Sequence, residues 1–281
     1  RVNRYYQPMF HELQIFENPE AILLVASIIF FFSIIAGKAG FRFGLPALLL
    51  FLGVGMLFGS DGLGIQFSNP SAAQFIGMLA LSIILFSGGM DTKMSEIKPI
   101  ATEGVVLATV GVLLTTLITG GFIYYVFLWS TGYETLTVAE SMLMAAVMSS
   151  TDSASVFSIL RSKGVYLKQR LRPTLELESG SNDPMAYMLT LLIIAYIQVG
   201  GMNLQEAVLQ LLVQLSVGAI AGFLLGKLAV LMINKINMDN ESLYPILLLT
   251  TAFFTFSATT LCKGNGYLAV YIAGLRSEER R

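Results

Sequence analysis

The nine residues ELESGSNDP, from Glu176 to Pro184, open an otherwise apolar segment that is long enough to cross a lipid bilayer. Near its end, just before Pro184, the stretch carries an amide followed by a carboxylate, Asn182 and Asp183. An ionised side chain at bilayer depth costs at least about 2.5 to 3.5 kcal/mol unless a partner, a bound cation or a proton compensates it. A carboxylate at this position therefore predicts a functional site.

The composition of the whole chain is that of a polytopic membrane protein. Of its 281 residues, 55% are hydrophobic and only 12% are charged, whereas an average soluble domain carries about 25% charged residues. The net charge of −1 gives no support to nucleic-acid binding. A single cysteine, Cys262, and a single histidine, His11, exclude a disulfide framework and a Cys/His zinc site, and we predict no cofactor.

Nine apolar segments are candidate membrane spans, which predicts an all-α fold. They cover residues 21–36, 45–60, 71–90, 104–133, 141–160, 173–199, 207–233, 242–262 and a ninth segment that begins near Tyr267 and is incomplete. Because no linker rich in Pro or Ser separates them, we expect one continuous membrane domain. The chain begins at Arg1 rather than Met and ends just after an apolar segment, so we expect it to be a fragment.

The distribution of basic residues predicts the orientation of these spans. Cytoplasmic loops of membrane proteins are enriched in Lys and Arg. With nine spans, alternate connections place nearly all of the 17 Lys and Arg on one side, and only Arg1, Arg4 and Lys263 on the other. This distribution predicts that the N-terminus lies outside the cytoplasm.

The fifth segment contains a cluster of hydroxyl and carboxylate residues, MSSTDSAS at 148–155. Such side chains compete with the helix for backbone hydrogen bonds, so the cluster predicts a bend or an unwound stretch that offers carbonyl oxygens to a cation. The alternative is that the hydroxyl groups only bond to neighbouring helices, with Asp152 close enough to the cytoplasmic end to stay hydrated. We favour the functional interpretation because Asp152 lies within a span.

The sixth segment presents two adjacent polar stripes. On a helix, Glu178 and Asn182 are four residues apart, and so are Ser179 and Asp183. Residues at this spacing share a face of the helix, so the two stripes predict the wall of a small polar cavity.

Pro184 adds a further oxygen atom to this wall. Proline has no backbone N–H, so the carbonyl of Gly180 loses its usual helical partner. Together with Ser179 and Asp183, this carbonyl suits a monovalent cation that prefers oxygen ligands. The alternative is a polar helix start near the lipid headgroups, with Glu176 hydrated and Pro184 a simple kink.

Four motifs carry a resemblance to a known family: STD at 150–152 with LESGSNDPMA at 177–186, LFSGGM at 85–90, VFSILRSKG at 156–164 and GYLAVYIAG at 266–274. They resemble the NhaP branch of the monovalent cation/proton antiporters. The most similar members are bacterial potassium/proton antiporters of the CvrA type. The resemblance covers nearly the whole chain, and the Thr-Asp and Asn-Asp pairs at this spacing are its most specific part.

The resemblance implies an inverted-repeat antiporter fold of thirteen helices with crossed unwound helices, of which about nine are present. It implies an external N-terminal segment at 1–19, half of a dimerisation domain at 20–98 and half of a core transport domain at 99–199. A connecting helix follows at 206–235, and 242–281 would start the second half of the dimerisation domain.

The resemblance also implies roles for single residues. The exchanging carboxylate would be Asp183, and the other cation ligands would be Asp152, Ser179 and the backbone carbonyl of Thr151. Glu178 and Asn182 would support the site. In the family this glutamate pairs with an Arg on a helix beyond Arg281.

These expectations combine into a predicted function, namely antiport of a monovalent cation against a proton. A single buried carboxylate holds either a proton or a cation, so the two compete for Asp183. Because Asn182 stands where electrogenic members of the family have a second Asp, we expect electroneutral one-for-one exchange. We expect potassium to be favoured over sodium, and a homodimer in the bacterial inner membrane that exchanges its ions by alternating access.

Two other classes of protein are alternatives to this prediction. The main alternative is a cation channel in which Asp152 and Asp183 form a fixed selectivity site. A membrane scaffold, in which the polar residues only fix helix packing, ranks last. We predict a transporter rather than an enzyme, because no His lies within a span and the Ser residues have no evident base.

Overall fold

Helices make up nearly all of the part of the chain that the computed structural model describes, which is residues 19–43, 45–60, 62–65, 67, 69–133, 136–162, 164, 167, 170–200, 203–236 and 242–278. The first six are α1 Pro19–Phe43, α2 Ala47–Phe58, α3 Pro70–Asp91, α4 Met94–Ile97, α5 Ala101–Val106 and α6 Val112–Thr131. The next six are α7 Val138–Met148, α8 Ser153–Ser162, α9 Leu171–Val199, α10 Leu204–Lys235, α11 Leu243–Leu261 and α12 Gly266–Glu278. A 3₁₀ turn, Lys98–Ile100, joins α4 to α5, and a π-helical turn, Leu107–Gly111, joins α5 to α6.

Every predicted span coincides with helical structure, and the fifth is divided between α7 and α8. In the described residues, five helical segments are long and apolar enough to cross a membrane: Pro19–Gly40, Pro70–Asp91, Met94–Thr131, Gln205–Lys235 and Leu243–Leu261. Two apolar helices, α2 and α7, are shorter. Helix α9 has 29 residues but carries the polar stretch in its first half. The predicted external segment at 1–19 lies outside the described residues except for Pro19.

The chain divides into two compact units, of which the first comprises Arg1–Gln74 and Ala154–Tyr166. Within it, α1 and α2 pack against each other, and Phe32 meets Phe58 with ring centroids 5.8 Å apart. Large apolar side chains remain exposed on α1, as shown by Ile34 at 72%. Such a surface suits contact with lipid acyl chains.

The second unit, Phe75–Ser153 and Leu167–Arg281, contains two apolar clusters. The larger cluster joins α3, α4 and the turn after it, α9, α11 and α12, and its buried members include Phe86, Ile97, Leu177, Ala252 and Tyr271. The smaller cluster joins α6 and α7 to α9, through Val112, Ala146, Met185, Met188 and Leu189. Helix α9 is therefore held by packing on both sides of its polar stretch.

Helices α10 and α12 approach each other through small residues. A side-chain carbon added at Gly222 would lie 2.5 Å from the carbonyl oxygen of Ala269, and one added at Gly226 would lie 2.8 Å from the Cα of Ala273. Small residues let helix backbones come this close. In a membrane, helices associate through dense van der Waals packing of this kind, because lipid provides no hydrophobic driving force between them.

A capping box begins α7. The Thr137 hydroxyl accepts from the backbone N–H of Glu140, and the Glu140 carboxylate accepts from the Thr137 N–H and hydroxyl, both at 2.8 Å. These two donors hold the pKa of the exposed Glu140 carboxyl below its usual value of 4.5. The start of the helix that leads to the site is thus fixed by local hydrogen bonds.

Candidate functional site

The helical structure is interrupted at the hydroxyl cluster, as the sequence predicts. Helix α7 ends at Met148 and α8 begins at Ser153, and residues 149–152 are not helical. The hydroxyl of Ser149 donates to the carbonyl of Ala146 at 2.7 Å, which ends the helix with a local bond. The three residues that follow, 150–152, are therefore not helical, and their side chains can bond to another helix.

Ser150 contacts the carboxylate of Asp183. Its hydroxyl donates to Asp183 Oδ1, and it also lies 3.5 Å from Asn182 Oδ1. A hydroxyl that donates to a carboxylate stabilises the ionised form over the protonated form. Ser150 is therefore placed to influence the competition between a proton and a cation at this oxygen.

Thr151 is the centre of a second set of hydrogen bonds. Its hydroxyl lies 3.0 Å from both carboxylate oxygens of Glu178, and it accepts from the amide of Asn182 at 2.6 Å. The same amide donates to Glu178 Oε1 at 2.9 Å. Asn182 is completely buried, so an amide that lost these partners would be costly to keep there.

The backbone carbonyl of Thr151 is also directed at α9. The hydroxyl of Ser179 donates to this oxygen at 3.0 Å, and the amide of Asn182 lies 3.4 Å from it. The carbonyl and the hydroxyl oxygen are thus neighbours and can both face one small cation once the hydroxyl proton turns away. Oxygen ligands of this kind suit hard cations.

Two other carboxylates lie within electrostatic reach of Asp183. The charges of Asp152 and Glu178 both act on Asp183, which is partly buried, whereas Asp152 is exposed. Within the described ranges, no three His, Cys, Asp or Glu side chains are grouped so that they could hold a metal ion. The acidic groups therefore give the site a negative potential that attracts a cation, while its other oxygen atoms come from hydroxyls and a carbonyl.

Glu176 lies apart from this network. Its carboxylate pairs with Arg172 at 2.9 Å in the first turns of α9, and this pairing raises the pKa of Arg172. The contact is partly exposed and spans one helical turn. It matches the interpretation of Glu176 as a hydrated residue near the helix start.

The structure brings together the four predicted ion ligands and the two predicted supports on the loop at 149–152 and one face of α9. Ser150 contacts Asp183 although it was not among the predicted site residues. Two signals in the sequence pointed to it, namely its place in the hydroxyl cluster and in the STD motif at 150–152, but neither distinguished it from the neighbouring hydroxyls as the partner of Asp183.

Comparison with known proteins places this chain in a family. Residues 18–279 match the family described as sodium/hydrogen exchanger, transmembrane. The chain belongs to the sodium/hydrogen exchanger family. The predicted resemblance is thereby confirmed, and the match extends beyond the four motifs to both units.

Two named relatives of this exchanger chain are potassium/proton antiporters. The chain is 38% identical over 253 residues to the K(+)/H(+) antiporter NhaP of Alkalimonas amylolytica, with 90% of this chain and 43% of the relative covered. It is 35% identical over 262 residues to the K(+)/H(+) antiporter NhaP2 of Shewanella oneidensis, with 92% and 44% covered. The chain therefore spans less than half of the length of these relatives.

A solved structure supports the fold of the exchanger chain. The sodium proton antiporter MjNhaP1 from Methanocaldococcus jannaschii superposes with a TM-score of 0.72 at 22% identity, and the match covers 92% of this chain and 62% of that one. This likeness confirms the predicted all-α antiporter fold, of which the chain contains a part. At 22% identity, this likeness is evidence for the fold and not for function.

Proposed function

We propose that the protein exchanges a monovalent cation for a proton across the membrane, with Asp183 as the group that holds either ion. The observation that carries the proposal is the contact between Asp183, on a membrane-length helix, and the hydroxyl of Ser150 in the break between α7 and α8. A partly buried carboxylate in contact with a hydroxyl donor can hold either a proton or a cation, so the two ions compete for it. The NhaP and NhaP2 relatives, both named as antiporters, support it.

The cation would be bound by oxygen atoms already gathered at the site. Asp183 would supply the charge, and Ser179, Asp152 and the carbonyl of Thr151 would supply further ligands. Asn182 and Glu178 would hold Thr151 in place through their mutual hydrogen bonds. Potassium is favoured over sodium because the two relatives at 38% and 35% identity are named for potassium, whereas MjNhaP1, named for sodium, is only 22% identical.

Exchange would be electroneutral, one cation for one proton. Asn182, next to Asp183, is an uncharged amide that is fully used as a donor to Thr151 and Glu178. Only Asp183 of this pair changes its charge during the cycle. An uncompensated charge would make turnover voltage-dependent by about 2.3 kcal/mol per 100 mV.

The wider organisation of the proposal follows the family. The protein would act as a homodimer in a bacterial inner membrane, with the N-terminus external, and would alternate access between the two sides. Residues 20–98 and 242–281 would belong to the dimerisation domain, 99–199 to the core transport domain and 206–235 to the connecting helix.

The test is an ion-transport assay. The protein, as its gene encodes it, is reconstituted into proteoliposomes with a pH dye inside and a voltage dye in the membrane. An inward gradient of potassium should make the interior alkaline without generating a membrane potential, and sodium, rubidium and lithium should then rank the selectivity. Potassium entry without proton movement would show a channel. A potential that builds up with no other permeant ion would contradict one-for-one exchange.

A further inference from the structure

Asn265, at the junction of α11 and α12, is a buried polar residue with both ends of its amide engaged. It is 4% exposed. Its Nδ2 donates to the carbonyl of Pro184 at 3.0 Å, and its Oδ1 accepts from the N–H of Leu268 at 3.0 Å. A carbonyl only accepts and a backbone N–H only donates, so these partners fix the orientation of the amide.

The backbone of Asn265 is anchored as well. Its N–H donates to the carbonyl of Gln214 on α10 at 3.0 Å. Gly218, one turn further along α10, lies directly against Asn265. A side-chain carbon added at Gly218 would be 2.8 Å from the carbonyl oxygen of Asn265. One residue therefore joins α10, the first turn of α12 and the middle of α9.

Helix α12 touches α9 at a second point. The ring of Tyr271, which is 2% exposed, lies against the backbone of Gly180, where an added side-chain carbon would be 2.5 Å from the ring. The two contacts fall on either side of Asp183, three residues before it and one residue after it. The α9 segment that carries the carboxylate is thus braced by α12 at both ends.

These contacts from Asn265 and Tyr271 lie at the turn of α9 that lacks a backbone hydrogen bond. Pro184 cannot donate to the carbonyl of Gly180, so the helix ladder lacks a bond at this turn. A helix with a missing bond can bend there, which would move the Asp183 carboxylate relative to Ser150. A hydrogen bond from another helix to the Pro184 carbonyl restores a restraint at the same place.

We propose that Asn265 is a positioning residue for Asp183. By holding the Pro184 carbonyl, it keeps the carboxylate within reach of Ser150 and the oxygens of the 149–152 segment. The inference rests on the proposed cation/proton exchange, because the quantity that it tunes is the competition between the two ions. Small displacements of a reacting or binding group are costly, since site geometry must be kept to within a fraction of an ångström.

The test replaces Asn265 by serine, in the protein as its gene encodes it. Serine is a strong helix N-cap and keeps the bond to Leu268, but its hydroxyl is too short to reach the Pro184 carbonyl. We expect Asn265→Ser to raise the half-saturating potassium concentration by about tenfold and to move the pH at half-maximal exchange, with the melting temperature close to that of the wild type. These two readouts report on the ion site and not on the amount of folded protein.

The matched control is Asn203→Ser. Asn203 caps α10 by accepting from the N–H of Gln205 at 3.2 Å, and it is exposed. This variant makes the same chemical change at a helix N-cap away from the site. It should leave the half-saturating concentration and the pH profile unchanged.

Three results would overturn the inference. The first is a wild-type cation affinity and pH profile in Asn265→Ser. The second is a lower maximal rate alone together with a lower melting temperature, which is the signature of a purely structural residue. If the serine variant does not fold, Asn265→Asp keeps the shape and the capping oxygen without the donor, and failure of both variants to fold also overturns it. Absence of exchange in the wild type would refute the proposed function itself, and is recognised separately.

Discussion

At the scale of single residues, the site depends on how two adjacent hydroxyls divide their partners. Ser150 bonds to Asp183, whereas Thr151 bonds to Glu178 and Asn182. The first contact bears on the carboxylate that we propose to exchange the two ions, and the second holds the loop against α9. Neighbouring residues of similar chemistry therefore have different expected effects on transport.

Replacing Ser150 by alanine should shift the pH dependence of exchange. Its hydroxyl stabilises the ionised form of Asp183, so without it the carboxyl keeps its proton to higher pH. A hydrogen bond to a charged group contributes about 1.5 to 3 kcal/mol, and 1.36 kcal/mol corresponds to one pH unit. The pH at half-maximal exchange should therefore rise by about one unit or more, as measured by dye-loaded proteoliposomes.

Ser149→Ala is the control for this prediction. Among the described residues, the Ser149 hydroxyl bonds locally, to the carbonyl of Ala146. We expect the pH profile of this variant to match that of the wild type. If the pH at half-maximal exchange shifted equally in Ser149→Ala and Ser150→Ala, the contact between Ser150 and Asp183 would not be the cause.

The sequence predicted part of this residue-scale picture. The spacing of Glu178, Ser179, Asn182 and Asp183 on one helix face follows from helical geometry alone. The choice of Ser150 as the Asp183 partner does not, because an unwound segment has no fixed period. The direction of each side chain there depends on the backbone that the fold imposes.

At the scale of elements, the fold relies on close approach of helices at glycine. Gly222→Ala should lower the melting temperature, because the new methyl group meets the backbone of Ala269, which cannot move aside as a side chain can. Overpacking of this kind costs about 1 to 3 kcal/mol. Thermal unfolding of the detergent-solubilised protein measures the effect.

Gly121→Ala makes the same change in open space on α6. An alanine there should be neutral or slightly stabilising, since alanine is the better helix former by about 1 kcal/mol. The close-packing account would be wrong if both variants lost equal stability.

The capping box of α7 should make its first turn sensitive to acid. Because the pKa of Glu140 is lowered in the folded state, its carboxylate stabilises the helix start fully above the unfolded value near 4.5, and this stabilisation is lost as the pH falls through the lowered value. Hydrogen exchange of the Glu140 amide should accelerate over that acidic range, after correction for the intrinsic rate. Glu140→Gln should remove this pH dependence, and an unchanged profile in that variant would refute the assignment.

At the scale of the whole molecule, hydropathy predicted the helices well and their packing poorly. The apolar segments are helical because a bilayer leaves no other way to pair the backbone of a single span. The break in the fifth segment was also predicted, from its cluster of Ser, Thr and Asp. The brace from Asn265 to Pro184 was not, because 81 residues separate the two and no local pattern links them.

The most direct measurement of the central claim is cation-driven proton movement in proteoliposomes of Asp183→Asn. The amide keeps the shape of the side chain but can neither release a proton nor supply the charge that holds a cation. Asp91→Asn, the same change at an exposed aspartate that ends α3, is the matched control. We expect Asp183→Asn to show the rate of empty liposomes and Asp91→Asn to show the wild-type rate. Potassium-driven proton movement above that background in a folded Asp183→Asn protein would contradict the central claim.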